Sequence, residues 1–149
     1  MDTIDYLKAE HEKIRSLYFE YEKSDQDGIR IRLLVSYLNE LQALSKGALA
    51  VLYPPFDKFA EVKPLLVSLH SQHGQIIQAM KEVVAAVKSD RKNTKTSMGR
   101  LNEAVNTYFD HEEKELFPVI KRLVKRPERE ALTRHMQSYL VEIKKTRAA

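Results

Sequence analysis

The chain contains no cysteine, which excludes disulfides, zinc–cysteine modules, iron–sulfur clusters and thiol catalysis. Glycine and proline are scarce, at four and five residues, and the charged residues, 31% of the chain, are not gathered into long polar tracts. Such a chain is neither low-complexity nor disordered. Long hydrophobic runs are missing too: no stretch approaches the roughly 18 uninterrupted apolar residues of a membrane span, and Met1-Asp2-Thr3-Ile4-Asp5 shows no basic region leading into an apolar one. A soluble, cytoplasmic protein without a membrane partner is expected. With 149 residues, 43% of them hydrophobic, the chain is long enough to close one core and too short for several domains.

The net charge of +4 comes from one end. Between residues 121 and 149 nine Lys and Arg stand against Glu128, Glu130 and Glu142, a balance of +6, so the first 120 residues sum to −2. Neither an aromatic platform nor a Gly-rich loop accompanies the basic stretch, which reads as a solvated helix face rather than a nucleic-acid site.

Alternating strand patterns are absent and 3.6-residue periodicity runs through almost the whole chain. Ile4, Leu7, His11, Ile14, Tyr18 and Tyr21 form one seam of a first helix over residues 2–23. After a turn at 24–28, a second helix carries Leu33, Tyr37, Glu40, Leu44, Gly47 and Val51 and ends before Pro54-Pro55. Pro64 opens a third helix with a seam of Leu66, Leu69, His73, Ile76, Met80, Val83 and Val87. A polar linker over 89–96 leads to a fourth, with Leu101, Ala104, Tyr108, His111 and Glu115, ending near Lys125. Pro127 starts a fifth, whose Leu132, Met136, Tyr139 and Ile143 lie against the outside of the others. The expected fold is all-α, an antiparallel up-down four-helix bundle over residues 1–126 with an additional basic C-terminal helix over 127–149.

The chain is internally duplicated. Glu10-His11-Glu12-Lys13-Ile14 resembles Gln72-His73-Gly74-Gln75-Ile76 at an offset of 62, and Leu52-Tyr53-Pro54 resembles Leu116-Phe117-Pro118 at an offset of 64. Counting back from each proline, the second half has His111 and Glu115 where the first has Gly47 and Val51. An imidazole and a carboxylate four residues apart share a helix face and can converge on one cation. With His11 and His73 on other seams, three nitrogens and one carboxylate are on offer, and His70, one turn from His73, is an additional or replacement ligand.

His11-Glu12-Lys13-Ile14-Arg15, His73 with Ile76-Ile77, and Tyr108-Phe109-Asp110-His111-Glu112-Glu113-Lys114-Glu115-Leu116-Phe117-Pro118, with its H-E-x-x-E-L-F-P pattern, resemble the hemerythrin-like HHE cation-binding family from about Ile4 to Leu123. The resemblance implies an up-down four-helix bundle that commonly holds two non-haem irons and handles dioxygen, iron, nitric oxide or redox signals. It also implies an H-x-x-x-E pair on the second helix, where this chain has Gly47 and Val51, so an intact di-iron centre is not expected. Family members with a second histidine on the third helix place it at the position of Leu69, one residue before His70.

One non-haem metal ion is therefore expected, held by His11, His73, His111 and Glu115 with His70 in reserve. Imidazole and carboxylate suit iron, zinc or manganese, and the resemblance favours iron. The expected role is binding or sensing, with a small diatomic molecule as a further ligand; no separate nucleophile or acid–base pair argues for an enzyme. The rivals are a metal-free structural or interaction module and a non-haem iron oxidoreductase. Glu12, Glu112 and Glu113 read as solvated charges, Glu112 being the one able to add an oxygen to the site. The tyrosines read as core residues with hydroxyls near the surface, His135 as exposed, and Gly47 either as a destabilising accident near the end of its helix or as a thinning that leaves room beside the metal.

Overall fold

A computed structural model describes residues 1–89 and 91–148, and among them there is no strand. Helix α1 (Thr3–Lys23) starts where the Asp2 carboxylate accepts the Ile4 N–H at 3.0 Å, and stops where the Ser24 N–H returns to the Glu20 carbonyl. The chain continues through α2 (Asp27–Gly47), α3 (Lys63–Ser89), α4 (Arg91–His111), α5 (Phe117–Leu123) and α6 (Arg126–Ala148). The polar linker expected over 89–96 is helical instead: α3 runs through Ser89 and α4 begins at Arg91, while Asp90 and Ala149 lie outside the described residues. No described helix is long and apolar enough to cross a membrane.

Two wide turns interrupt the α-helical geometry, at Ala48–Leu52 and at Glu112–Leu116. In each, the amide before a proline bonds five residues back: Tyr53 N–H to Ala48 O at 2.9 Å, and Phe117 N–H to Glu112 O. The proline that follows has no N–H to offer, and its ring would collide with the carbonyl four residues earlier in a regular helix. The two turns are 64 residues apart, the offset already seen for the aromatic-Pro pairs. The duplication thus extends to the backbone irregularity itself, and it fixes which residues enter the core just before each proline.

Leu7, His11, Ile14 and Tyr21 of α1 meet Leu34, Tyr37, Leu41 and Leu44 of α2, Leu69, His73 and Ile76 of α3, and Leu101, Val105, Tyr108 and Phe109 of α4 in one core. Helix α6 lies across α1 and α2 and contributes to that core, with Met136 and Leu140 buried. It reaches α2 at Gly47. A Cβ there would stand 3.1 Å from Met136 Cε and 3.3 Å from Leu140 Cδ2, and the Gly47 backbone is ordinary helix, with φ −62°. Glycine is present because another helix needs the space, not because of its backbone freedom. The room expected beside a metal at Gly47 is filled by α6.

Polar clamps hold α6 in place. Arg129 Nε donates to Asp2 Oδ2 at 2.9 Å, the Thr3 hydroxyl meets Thr133 Oγ1 at 2.9 Å and makes a short contact with the Arg129 carbonyl, and Lys144 Nζ lies 2.9 Å from Glu40 Oε2. Lys13 approaches the same Glu40 oxygen at 3.3 Å. The basic C-terminal stretch is therefore not wholly a solvated face, since Arg129 is buried and Lys144 is ion-paired. His135 is exposed.

Filling the Gly47 site should separate the helices. Gly47→Leu is expected to lower stability by about 1–3 kcal/mol through overpacking, whereas Gly47→Ala should stay within about 1 kcal/mol of the wild type, better helix propensity offsetting the tight contact with the flexible Met136. Urea denaturation of both variants measures this. Acid should act on the clamps. Burial pushes the Asp2 and Glu40 carboxyls upward, but the Ile4 N–H and Arg129 on Asp2, and Lys144 and Lys13 on Glu40, hold both below their ordinary values of 3.8 and 4.5. A carboxylate whose pKa is depressed by folding stabilises fully above its unfolded value, and the contribution is lost as pH falls through the folded value. The thermal midpoint should therefore drop as the pH falls below about 4.5, and Glu40→Gln should lower it at neutral pH while matching the wild type at low pH.

Candidate metal centre

The centre of the bundle is built on the carboxylate of Glu112, which is only 3% exposed. At 3.6 residues per turn, Glu112 falls almost on the line through Leu101, Val105 and Tyr108, while His111 lies roughly a quarter-turn away. The wide turn at Glu112–Leu116 then keeps Leu116 on the buried line and turns Glu115 out to solvent. The expected seam through Ala104, His111 and Glu115 is one residue out of phase, and the expectation that Glu112 is a surface charge is corrected with it.

His11 is fully buried beside this carboxylate, with Nε2 3.1 Å from Glu112 Oε1 and Nδ1 2.6 Å from Glu113 Oε2. Its ring stacks on Phe109 at 3.8 Å between centroids and packs against Phe117 at 5.7 Å, which fixes its orientation. Glu113 also accepts from Arg15 Nη1 at 3.0 Å. Burial raises the Glu113 pKa, but His11 and Arg15 outweigh it and hold the carboxyl low, so its ionised oxygen takes the His11 Nδ1–H. That leaves Nε2 facing a second carboxylate oxygen. A bare lone pair there would repel Glu112, so the contact requires a further proton or a cation between the two atoms.

The other Glu112 oxygen accepts the Tyr53 hydroxyl at 2.6 Å, and the Tyr53 and Tyr108 hydroxyls make a short contact with each other. Burial, then the Glu112 charge, pushes both phenols well above their ordinary pKa, so they stay neutral donors. These two hydroxyls end inside the protein rather than near its surface, contrary to expectation. Tyr37, also fully buried, donates to Asn102 at 3.1 Å.

Three further histidines, His70, His73 and His111, belong to α3 and α4. His73 is 6% exposed and its Nδ1 has no partner among the described residues. Burial and then nearby His70 lower its pKa, while Glu112 pulls the other way. It is therefore a neutral ring within electrostatic range of Glu112. His70 is exposed and uses Nδ1–H on the Leu66 carbonyl at 2.7 Å; His111, half-buried, directs Nδ1 to Gln72 Oε1 at 2.7 Å. In both, Nδ1 is engaged by an oxygen and Nε2 is the nitrogen left for another partner.

The structure brings His11 and Glu112 into contact, with His73 buried within electrostatic range of Glu112. It does not gather the whole expected set: Glu115 is exposed, and no three His, Asp or Glu among the described residues stand close enough together to hold one ion. The donor chemistry nevertheless suits a borderline divalent cation. The 3.1 Å between His11 Nε2 and Glu112 Oε1 is a hydrogen-bond length and also the separation of neighbouring ligands on one ion with bonds of about 2.1 Å. In the first half, the counterparts of His111, Glu112 and Glu115 are Gly47, Ala48 and Val51, which have no side-chain donors.

A family model described as the hemerythrin HHE cation binding domain matches residues 2–120. The chain belongs to this family. No curated protein and no solved structure gives a significant match. The hemerythrin match ends before α6 begins at Arg126, so the helix that covers Gly47 lies beyond the span shared with the hemerythrin family.

Sequence reasoning gave Glu112 only an auxiliary oxygen on an otherwise solvated side chain, and missed Tyr53 and Tyr108 as its buried partners. The signals were the proline six residues after Glu112, which widens the helix, and the aromatic residue before the matching Pro54. If Glu112 is the buried carboxylate, Glu112→Ala should cost about 2 kcal/mol or more, because it leaves His11 Nε2 and the Tyr53 hydroxyl unpaired. Glu115→Ala should stay within about 0.5 kcal/mol. Chemical denaturation of the two variants decides which seam is correct.

Proposed function

We propose that this hemerythrin HHE domain binds one transition-metal ion at the buried polar centre, through Glu112, His11 and His73, with His70 and His111 as the histidines nearest to completing the set. The supporting observation is the 3.1 Å approach of a buried imidazole nitrogen to a buried carboxylate oxygen, with a second buried imidazole, His73, carrying an unsatisfied nitrogen and lying within electrostatic range of that carboxylate. Family membership supports a cation there. Iron is the proposed ion, with zinc and manganese as chemically acceptable alternatives. A ferrous ion would supply affinity for small diatomic molecules and a one-electron couple, and the proposed role is binding or sensing of oxygen, nitric oxide, iron or redox state. Within the site, Phe109 and Phe117 hold the His11 ring and exclude water, Glu113 keeps a proton on His11 Nδ1, and Tyr53 and Tyr108 orient the Glu112 carboxylate.

A second reading has its own observation. Both Glu112 oxygens already have protein partners, His11 and Tyr53, as a metal-free polar core requires, so the bundle can also be read as a structural or interaction module.

Metal uptake separates the two. Protein purified without an affinity tag and given ferrous iron anaerobically should retain about one equivalent and gain thermal stability, and Glu112→Gln should lose most of that metal while Glu115→Ala keeps it. Retention below about a tenth of an equivalent for iron, zinc and manganese alike would establish the metal-free reading.

A further inference from the structure

Four basic side chains border a pocket of about 270 Å³ where α2 and α4 begin. Arg30 comes from α2, and Arg91, Lys92 and Lys95 come from the first turns of α4, spanning about 6 Å along its axis at 1.5 Å per residue. The helical start at Arg91, in place of the linker expected over 89–96, is what brings these three onto one stretch of helix surface. One acid stands against them, Asp27 in the first turn of α2, and none of these five groups forms an ion pair among the described residues. Elsewhere Arg15, Arg122, Arg126 and Arg129 each meet a carboxylate. Arg30 instead lies over the Tyr21 ring, its guanidinium carbon 5.0 Å from the centroid, which holds the side chain while its N–H groups have no acceptor among the described residues. Tyr21 and Leu34 are buried and form an apolar wall of the pocket, beside which charges are screened less than on an open face. The N–H groups of two helix starts add partial positive charge, and Gln26 gives α2 no side-chain cap.

We propose that this pocket binds a diphosphate group, either free as inorganic pyrophosphate or carried by a nucleoside diphosphate. Four cations against one carboxylate leave the described lining at +3. A phosphoryl group carries about −1.5 to −2 at neutral pH, so two joined groups come to about −3 and match it, whereas a lone carboxylate leaves most of that charge unanswered. Arg30 and Arg91 each offer a planar fork suited to two phosphoryl oxygens, and Lys92 and Lys95 act as point charges beside them. The volume, near the lower end of the range for small-molecule sites, suits a compact anion. A nucleic-acid strand is disfavoured because Tyr21, the one aromatic residue lining the pocket, is 3% exposed and gives bases no platform to stack on. The pocket lies roughly 30 Å along α4 from Glu112 at 1.5 Å per residue and shares no residue with the proposed metal centre, so the inference stands independently of that reading.

The test titrates the full chain with sodium pyrophosphate and with ADP in low-salt buffer free of divalent cations, followed by calorimetry and by backbone amide resonances. One site per chain is expected, and the amides of Gly28, Arg91, Lys92 and Lys95 should move most. Affinity for pyrophosphate equal to or above that for ADP identifies free diphosphate as the ligand, and tighter binding of ADP identifies the nucleotide; adenosine should bind in neither case. Arg91→Gln/Lys95→Gln, at two exposed positions, should weaken binding by about tenfold or more. Lys125→Gln/Arg134→Gln removes the same charge from exposed positions outside the pocket and should leave binding nearly unchanged. Circular dichroism checks that both double variants keep the helical content of the wild type. Failure of both ligands to bind, wild-type affinity in Arg91→Gln/Lys95→Gln, or an equal loss in Lys125→Gln/Arg134→Gln would each overturn the proposal, as would binding of a single-stranded oligonucleotide without binding of pyrophosphate.

Discussion

A carboxylate in the middle of a helical bundle has to be met on both oxygens, because an ionised group taken out of water without partners costs several kcal/mol. Glu112 imposes that requirement here, and much of the surrounding structure answers it. His11 of α1 meets one oxygen and Tyr53, just after α2, meets the other. Tyr108 backs Tyr53, and Glu113 with Arg15 sets the His11 ring. The helices are thus tied at one level by a polar network in addition to their apolar seams.

The two halves began with the same plan and use it differently. Each ends its second helix in a wide turn before a proline, and each places a side chain in the core at the start of that turn. In the second half this is Glu112 and in the first it is Ala48, both 3% exposed. A carboxylate at both positions would need twice the number of partners in the same small interior. The first half instead has small and apolar residues, and Gly47 admits Met136 and Leu140 of α6. One half of the duplicated bundle holds the polar centre, while the other serves as the seat for an added helix.

Much of this was legible in the residue pattern. The seams of α1 and α3 were read at the right phase, so His11 and His73 were expected inside and are inside. Those helices are regular over their whole length, and a 3.6-residue repeat then identifies the buried face without ambiguity. On α4 a 3-4-3-4 spacing through His111 and Glu115 satisfied the pattern nearly as well as the true one, since Ala104 beside Val105 and His111 beside Glu112 differ by a single step of the helix. The chemistry of His111 and Glu115 as a chelating pair drew the choice to the wrong one.

The sequence by itself determined the all-helical class, the duplicated plan, the family and the burial of His11 and His73, because these follow from periodicity and local motifs that each segment carries on its own. Only the tertiary structure decided that Glu112 rather than Glu115 is the interior carboxylate, that Tyr53 and Tyr108 serve it, and that α6 takes the space at Gly47. Those outcomes depend on a one-residue change of helical phase and on the approach of segments far apart in the chain, and neither is written in the spacing of any one helix.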